Sequence, residues 1–172
     1  MERVPAKIFL VLFLLSASVW QYAQGMKGYH IGELFTFGTI EFRAGLDPEA
    51  ERAAYASYAE HAVIAYGVYP FVLLTAAGFL RTTVRTMKRD GWLLMSAILL
   101  FMFVPVELFC FWRDWKIVGL HYWGDWPLEE FRKAVMLRVT ALAGLPFIAQ
   151  LCYYTIPVIL FFRPFRRELE IQ

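Results

Sequence analysis

The chain has little from which to build a redox or zinc centre. Only two cysteines, Cys110 and Cys152, occur in 172 residues. They form no CxxC pair and no zinc-like spacing, so neither a thioredoxin-type motif nor a zinc finger is encoded. Both fall in apolar segments. Counted from the ends of those segments at 1.5 Å per residue, they lie near opposite faces of a membrane, more than about 20 Å apart in depth. A disulfide needs Cα atoms within about 7 Å, so two free thiols are expected. Basic residues form no long block and no RNA-type aromatic motif appears, which argues against a nucleic-acid partner. There is no Ser/His/Asp order, no glycine-rich phosphate loop and no paired acidic motif.

Apolar residues are abundant instead. They make up 59% of the chain, aromatics 18%, and phenylalanine alone contributes 16 residues. A soluble domain is typically about 45–50% apolar. The run from Trp92 to Trp112 is apolar except for Glu107 and Ser96. As a helix it rises roughly 30 Å, the thickness of a bilayer's hydrocarbon core. The pattern predicts an all-α membrane protein, a single domain over 1–172 with four transmembrane helices in two hairpins. The spans are placed at about 4–24, 61–80, 92–112 and 134–162. The outer loops are then 25–60 and 113–133, and the loop 81–91 is cytoplasmic. The first segment follows Glu2, Arg3 and Lys7 as a signal peptide would, and is read as a retained signal anchor.

Short basic segments set the orientation. Arg81, Arg85, Lys88 and Arg89 crowd the loop between the second and third spans, Arg163, Arg166 and Arg167 follow the fourth, and Arg3 and Lys7 precede the first. The positive-inside rule puts these segments, and both termini, in the cytoplasm of a cell with this chain in its inner membrane. Trp20, Trp92, Trp112, Trp115, Trp123 and Trp126, with Tyr22, Tyr29 and Tyr122, fall at span ends or in outer loops. They read as an interfacial aromatic belt rather than a cofactor box.

In the first outer loop, the stretch from Glu33 to Phe42 suggests a short strand or extended piece. Asp47 is a good N-cap, Pro48 suits the first helical position, and Glu49 and Glu51 suit the positive helix end. The second span is therefore expected to project about three turns beyond the outer face. This projection carries Ala53, Ala56, Ala59, Ala62 and Ala65. Such a stripe lets a neighbouring helix approach closely, although alanine also simply favours helix. Asp125, Pro127, Glu129 and Glu130 mark another helix start. A weak parallel repeat relates the two outer segments, with His30 and His121 in matching places.

Candidate chemistry is sparse. His30, His61 and His121 all fall at or beyond the outer face and could hold a metal ion if they converge, but no HxH or HxxxH spacing exists. Structural histidines are the commoner outcome, and haem is disfavoured because only His61 is near a span. Glu107 and Arg138 have matching depths, roughly 6–8 Å below the outer edge, and are expected to form an intramembrane ion pair; pinning the third and fourth spans together is favoured over a proton or substrate site. Gln150 lies deep in the fourth span and could hydrogen-bond a quinone-like headgroup, but a bond across helices is expected. Pro70, Pro105, Pro146 and Pro157 should kink three of the spans. No cofactor is demanded by the sequence, and catalysis by this chain alone is not indicated. The expected role is an accessory subunit of a larger membrane complex, with other integral-membrane subunits and lipids as partners. Two alternatives are a small membrane enzyme or metal-handling protein with an outer-face site, and an oligomeric transporter or channel.

Overall fold

The computed structural model describes residues 4–87 and 90–164, and the side chains of all of these except 85–87. Arg3, Lys88, Arg89, Arg166 and Arg167, used above to orient the chain, lie outside the described residues. Among the described residues six helices follow one another: α1 (Val4–Leu34), α2 (Pro48–Met87), α3 (Gly91–Met102), α4 (Val104–Tyr122), α5 (Leu128–Thr140) and α6 (Leu145–Phe162). Four segments are long and apolar enough to cross a membrane: α1, α2, the α3–α4 pair and α6.

The outer segments are more helical than the apolar runs imply. The 31 residues of α1 and the 40 of α2 make rods of about 46 and 60 Å, longer than a bilayer core requires. The first loop therefore shrinks to 35–47 and the second to 123–127. The α1 register persists past the apolar run because its buried face keeps the helical period through Phe13, Trp20, Ala23, Lys27 and Leu34. The Glu33–Phe42 stretch forms a tight turn, not a strand. Phe35 and Phe42 make one antiparallel bridge, and Gly38 takes a φ of 78° at the turn. Asp47 caps α2, its carboxylate accepting the Ala50 N–H at 3.3 Å.

Two proline-led breaks divide the other crossings. Pro105 cannot donate to the carbonyl of Phe101, which takes the N–H of Phe103 instead, and the chain restarts as α4. The predicted fourth span, 134–162, is two helices. Ala143 and Gly144 adopt left-handed φ of 45° and 84°, and α6 begins with Pro146 in its first turn. Only Leu145–Phe162 is a candidate span, so Ala134 and Arg138 belong to the separate helix α5. Pro70 and Pro157 are accommodated inside α2 and α6.

Antiparallel neighbours are evident from paired residues. Along α1 and α2, Gly78 packs on Phe9, the Ser16 and Thr75 hydroxyls meet at 3.4 Å, and Lys27 reaches Tyr66. Along α3–α4 and α6, Phe103 meets Tyr153 and Arg163 lies over the Trp92 ring. One buried core, around Val72, Leu100 and Ile156, lies among the crossing helices. A second, around Tyr55, Ile117 and Val135, joins α5 to the ends of α2 and α4 farthest from the N-terminus, here termed the distal end.

The alanine stripe is used only in part. Ala59, Ala62 and Ala65 are fully buried, whereas Ala56 is half-buried and Ala53 is exposed. A spacing of three falls short of 3.6 residues per turn, so the stripe rotates out of the interface. The buried seam follows the true period through Tyr55, Ala59, Ala62, Ala65, Tyr69, Val72 and Ala76. The two cysteines are free, with Cys110 buried and Cys152 partly so. Their depths are closer than the sequence implies. Tyr153 lies level with Phe103, which puts Cys110 and Cys152 about 10 Å apart along the bundle axis, not 20. The break before α6 moves Cys152 towards the distal end.

Candidate functional site

Buried charge gathers at the distal boundary of the apolar zone. Lys27 lies on α1, 20 residues beyond Lys7, which is about 30 Å of helix. Asp114 lies on α4 just past Trp112, and Arg138 lies in the last turn of α5. Asp114 is fully buried and binds both cations. Its Oδ2 lies 2.7 Å from Lys27 Nζ, and its Oδ1 accepts the Arg138 Nε–H at 2.6 Å. The Tyr66 hydroxyl of α2 donates to the same carboxylate. Lys27 Nζ also donates to Gln24 Oε1 and to the Tyr66 oxygen, both at 2.8 Å, and stands 4.4 Å from the Tyr66 ring centroid.

The network continues inwards. Gln24 Nε2 donates to Glu107 Oε2 at 2.8 Å, and Glu107 is 3% exposed. The expected Glu107–Arg138 pair is therefore replaced: Arg138 pairs with Asp114, while Glu107 receives the Gln24 amide. Both still line one cavity of about 340 Å³ with Lys27, Gln24, Tyr58 and Gln150. The sequence reading placed Arg138 inside the fourth span, but it stands on α5, where it reaches the distal part of α4. Gln150 does bond across helices, as expected, donating to Gln21 Oε1 on α1.

Unpaired, a buried ion would cost several kcal/mol. Here each ammonium, guanidinium and carboxylate has a counter-charge or amide, and one network joins α1, α2, α4 and α5. Lys27 and Asp114 escape hydropathy analysis because both fall just outside the apolar runs. A helical-wheel reading would have found them. Lys27 continues the Trp20–Ala23 face of α1, and Asp114 continues the Glu107–Cys110 face of α4.

A second clamp lies farther out. Arg132 on α5 grips fully buried Glu51 on α2 through two parallel bonds, Nε–Oε1 at 2.7 Å and Nη2–Oε2 at 2.6 Å. Tyr55 donates to Glu51 as well, at 2.8 Å. Hydrogen bonding to Glu51 raises the already high pKa of the Arg132 guanidinium, so it stays a cation at any working pH.

The histidines divide. His30 and His61 come together between α1 and α2, with ring centroids 5.5 Å apart. The His61 Nδ1 is 2.7 Å from the Ser57 carbonyl, which commits that nitrogen. His30 Nδ1 lies 3.5 Å from Glu33. His121 instead packs on Tyr122 at the end of α4. His30 likewise packs edge-on against its neighbour Tyr29, but of the two only His30 has a second histidine beside it, and among the described residues no group of three or more His, Cys, Asp or Glu side chains could hold a metal ion.

On the opposite side of the Gln21–Gln150 bridge lies an aromatic cluster. Trp20 meets Tyr69 and Tyr153 with ring centroids 5.1 and 5.0 Å apart. Trp20 Nε1 is buried without a hydrogen-bond partner among the described residues, and the buried Tyr69 and Tyr153 hydroxyls have only each other nearby. No protein-family model matches the chain, and neither the curated proteins nor the solved structures include one detectably similar to it, so the reading of this site rests on its geometry alone.

Proposed function

We propose that this chain is an accessory, integral-membrane subunit of a larger membrane assembly, built as two helical hairpins with both termini in the cytoplasm. The observation that carries this reading is the contrast between the interior and the surface of the distal end. Inside, three cations, Lys27, Arg138 and Arg132, are balanced by three buried carboxylates, Asp114, Glu107 and Glu51, and the Arg138–Asp114 and Arg132–Glu51 pairs bind α5 to α4 and α2. Outside, that end exposes aromatic side chains: Phe37 in the turn after α1, and Trp115, Trp123 and Trp126 on and after α4. The tryptophans suit an interfacial belt, whereas an aromatic ring fully exposed in a turn, as at Phe37, suits a contact with a partner. Charges locked in pairs suit a scaffold better than a site that must bind and release protons. His30 and His61 leave a small outer-face site as the second reading.

Purification of the tagged full chain from membranes in mild detergent tests the proposal. Larger membrane subunits should co-purify at fixed stoichiometry. Recovery of the chain alone, as a monomer or a ring of itself, would exclude an accessory role.

A further inference from the structure

The polar cavity and the apolar groove are separate spaces on either side of the Gln21–Gln150 hydrogen bond. The cavity is lined by Arg138, Glu107 and Gln150. The groove, about 210 Å³, runs between α1 and α6 past Ala17, Ser18, Trp20, Tyr153 and Leu160, and is mostly apolar. Gln150 lines the cavity and Gln21 lines the groove, and these two amides are hydrogen-bonded to each other. Among the described residues, α1 and α6 approach through side chains and not through backbone packing, which leaves the groove open sideways to lipid. The depths match a membrane lipid. The cavity lies at the level of Lys27 and Arg138, at the boundary of the apolar zone, and the groove lies at the depth of acyl chains.

The unused hydrogen-bonding capacity of the cavity carries both signs. All three N–H groups of Lys27 are committed, to Asp114, Gln24 and Tyr66. Arg138 engages only its Nε–H, leaving both terminal NH2 groups without a partner among the described residues. Glu107 uses one oxygen for Gln24, and the other has no partner there. The α6 N-terminus opens on the same cavity through Gly144 and Pro146, with the helix end that favours an anion. In the groove wall, Trp20 Nε1 has no partner among the described residues, in a residue 1% exposed, and the Tyr153 hydroxyl faces that of Tyr69. The site balances two cations, Lys27 and Arg138, against two anions, Asp114 and Glu107. A neutral zwitterion preserves that balance, whereas an anionic headgroup leaves it net negative.

We propose that the cavity and the groove together hold one ethanolamine phospholipid, lying across the Gln21–Gln150 bridge. Its phosphate lies against the terminal nitrogens of Arg138, its ammonium donates to Glu107, and one acyl chain lies in the groove between α1 and α6. Glycerol headgroups have no cation for Glu107, and choline headgroups have no N–H to donate. This goes beyond the accessory-subunit reading and does not depend on it.

The test is to reconstitute the purified full chain in bilayer discs of equal ethanolamine, choline and glycerol phospholipid. After gentle extraction, retained lipid is identified by native mass spectrometry. One ethanolamine lipid per chain is expected, at about tenfold over its share. Glu107→Gln should abolish the preference over glycerol lipid. Ser18→Trp should obstruct the groove and remove the bound lipid, whereas Ile98→Trp, an exposed position outside both spaces, should not. Retention of all three lipids in bulk proportion would overturn the proposal. So would an unchanged lipid count in Ser18→Trp, which adds bulk at an exposed position and keeps the test valid if Glu107→Gln misfolds.

Discussion

Asp114 is the residue on which the distal end depends most. It is fully buried and holds Lys27, Arg138 and Tyr66 at once. Removing one member of a buried ion pair leaves an uncompensated charge, which typically costs about 3–5 kcal/mol. Asp114→Asn should therefore lower stability by that order, read as an earlier thermal or SDS-induced unfolding transition of the detergent-solubilised chain. Lys27→Met combined with Asp114→Asn should cost less than the two single losses added together, because the pair interacts directly. Strictly additive losses would contradict the contact. At this scale the sequence was partly legible. Arg138 and Glu107 stand out as charges in apolar surroundings, and both line one open cavity. Their partners were not legible, since Asp114 and Lys27 stand where hydropathy has already fallen, and only the helical phase reveals that they face inwards.

Helices were legible where apolar runs were long, and their joints were not. The prolines marked the right places, but proline alone does not say whether a helix bends or restarts. Pro105 and Pro146 stand at restarts, whereas Pro70 and Pro157 are absorbed inside longer helices. The joint before α6 holds Ala143 in a left-handed φ of 45°, a conformation that costs an L residue roughly 1–2 kcal/mol and glycine almost nothing. Ala143→Gly should raise the unfolding midpoint by the equivalent of up to about 1 kcal/mol. A lowered midpoint would argue against the observed backbone. The α1–α2 contact rests on another small residue. A Cβ at Gly78 would come within 2.5 Å of the Phe9 ring. Gly78→Leu should destabilise the pair by about 1–3 kcal/mol through overpacking, and Phe9→Ala in the same chain should recover most of that loss. Equal stability of the single and double variants would show that the two residues do not compete for space.

For the whole molecule, four apolar helical segments make a multi-pass arrangement that the sequence displayed openly. The division of the fourth crossing into α5 and α6, which carries Arg132 and Arg138 onto the distal core, was hidden because amphipathic α5 merges in sequence with the apolar run after it. The proposed orientation has a direct check. Thr39, exposed in the turn between α1 and α2, should react as Thr39→Cys with a membrane-impermeant maleimide applied to intact cells, in a chain with Cys110 and Cys152 replaced. Labelling only after the cells are opened would invert the topology. The unbroken helices have a mechanical corollary. The α1 and α2 helices run about 46 and 60 Å without a joint, while the remaining crossings are interrupted at Phe103 or preceded by the Ala141–Gly144 turn. One half of the molecule is a pair of stiff struts and the other is articulated. A push on the turn that carries Phe37 passes along the struts to the far side of the bilayer, whereas a tilt of α5 is taken up at its joint with α6.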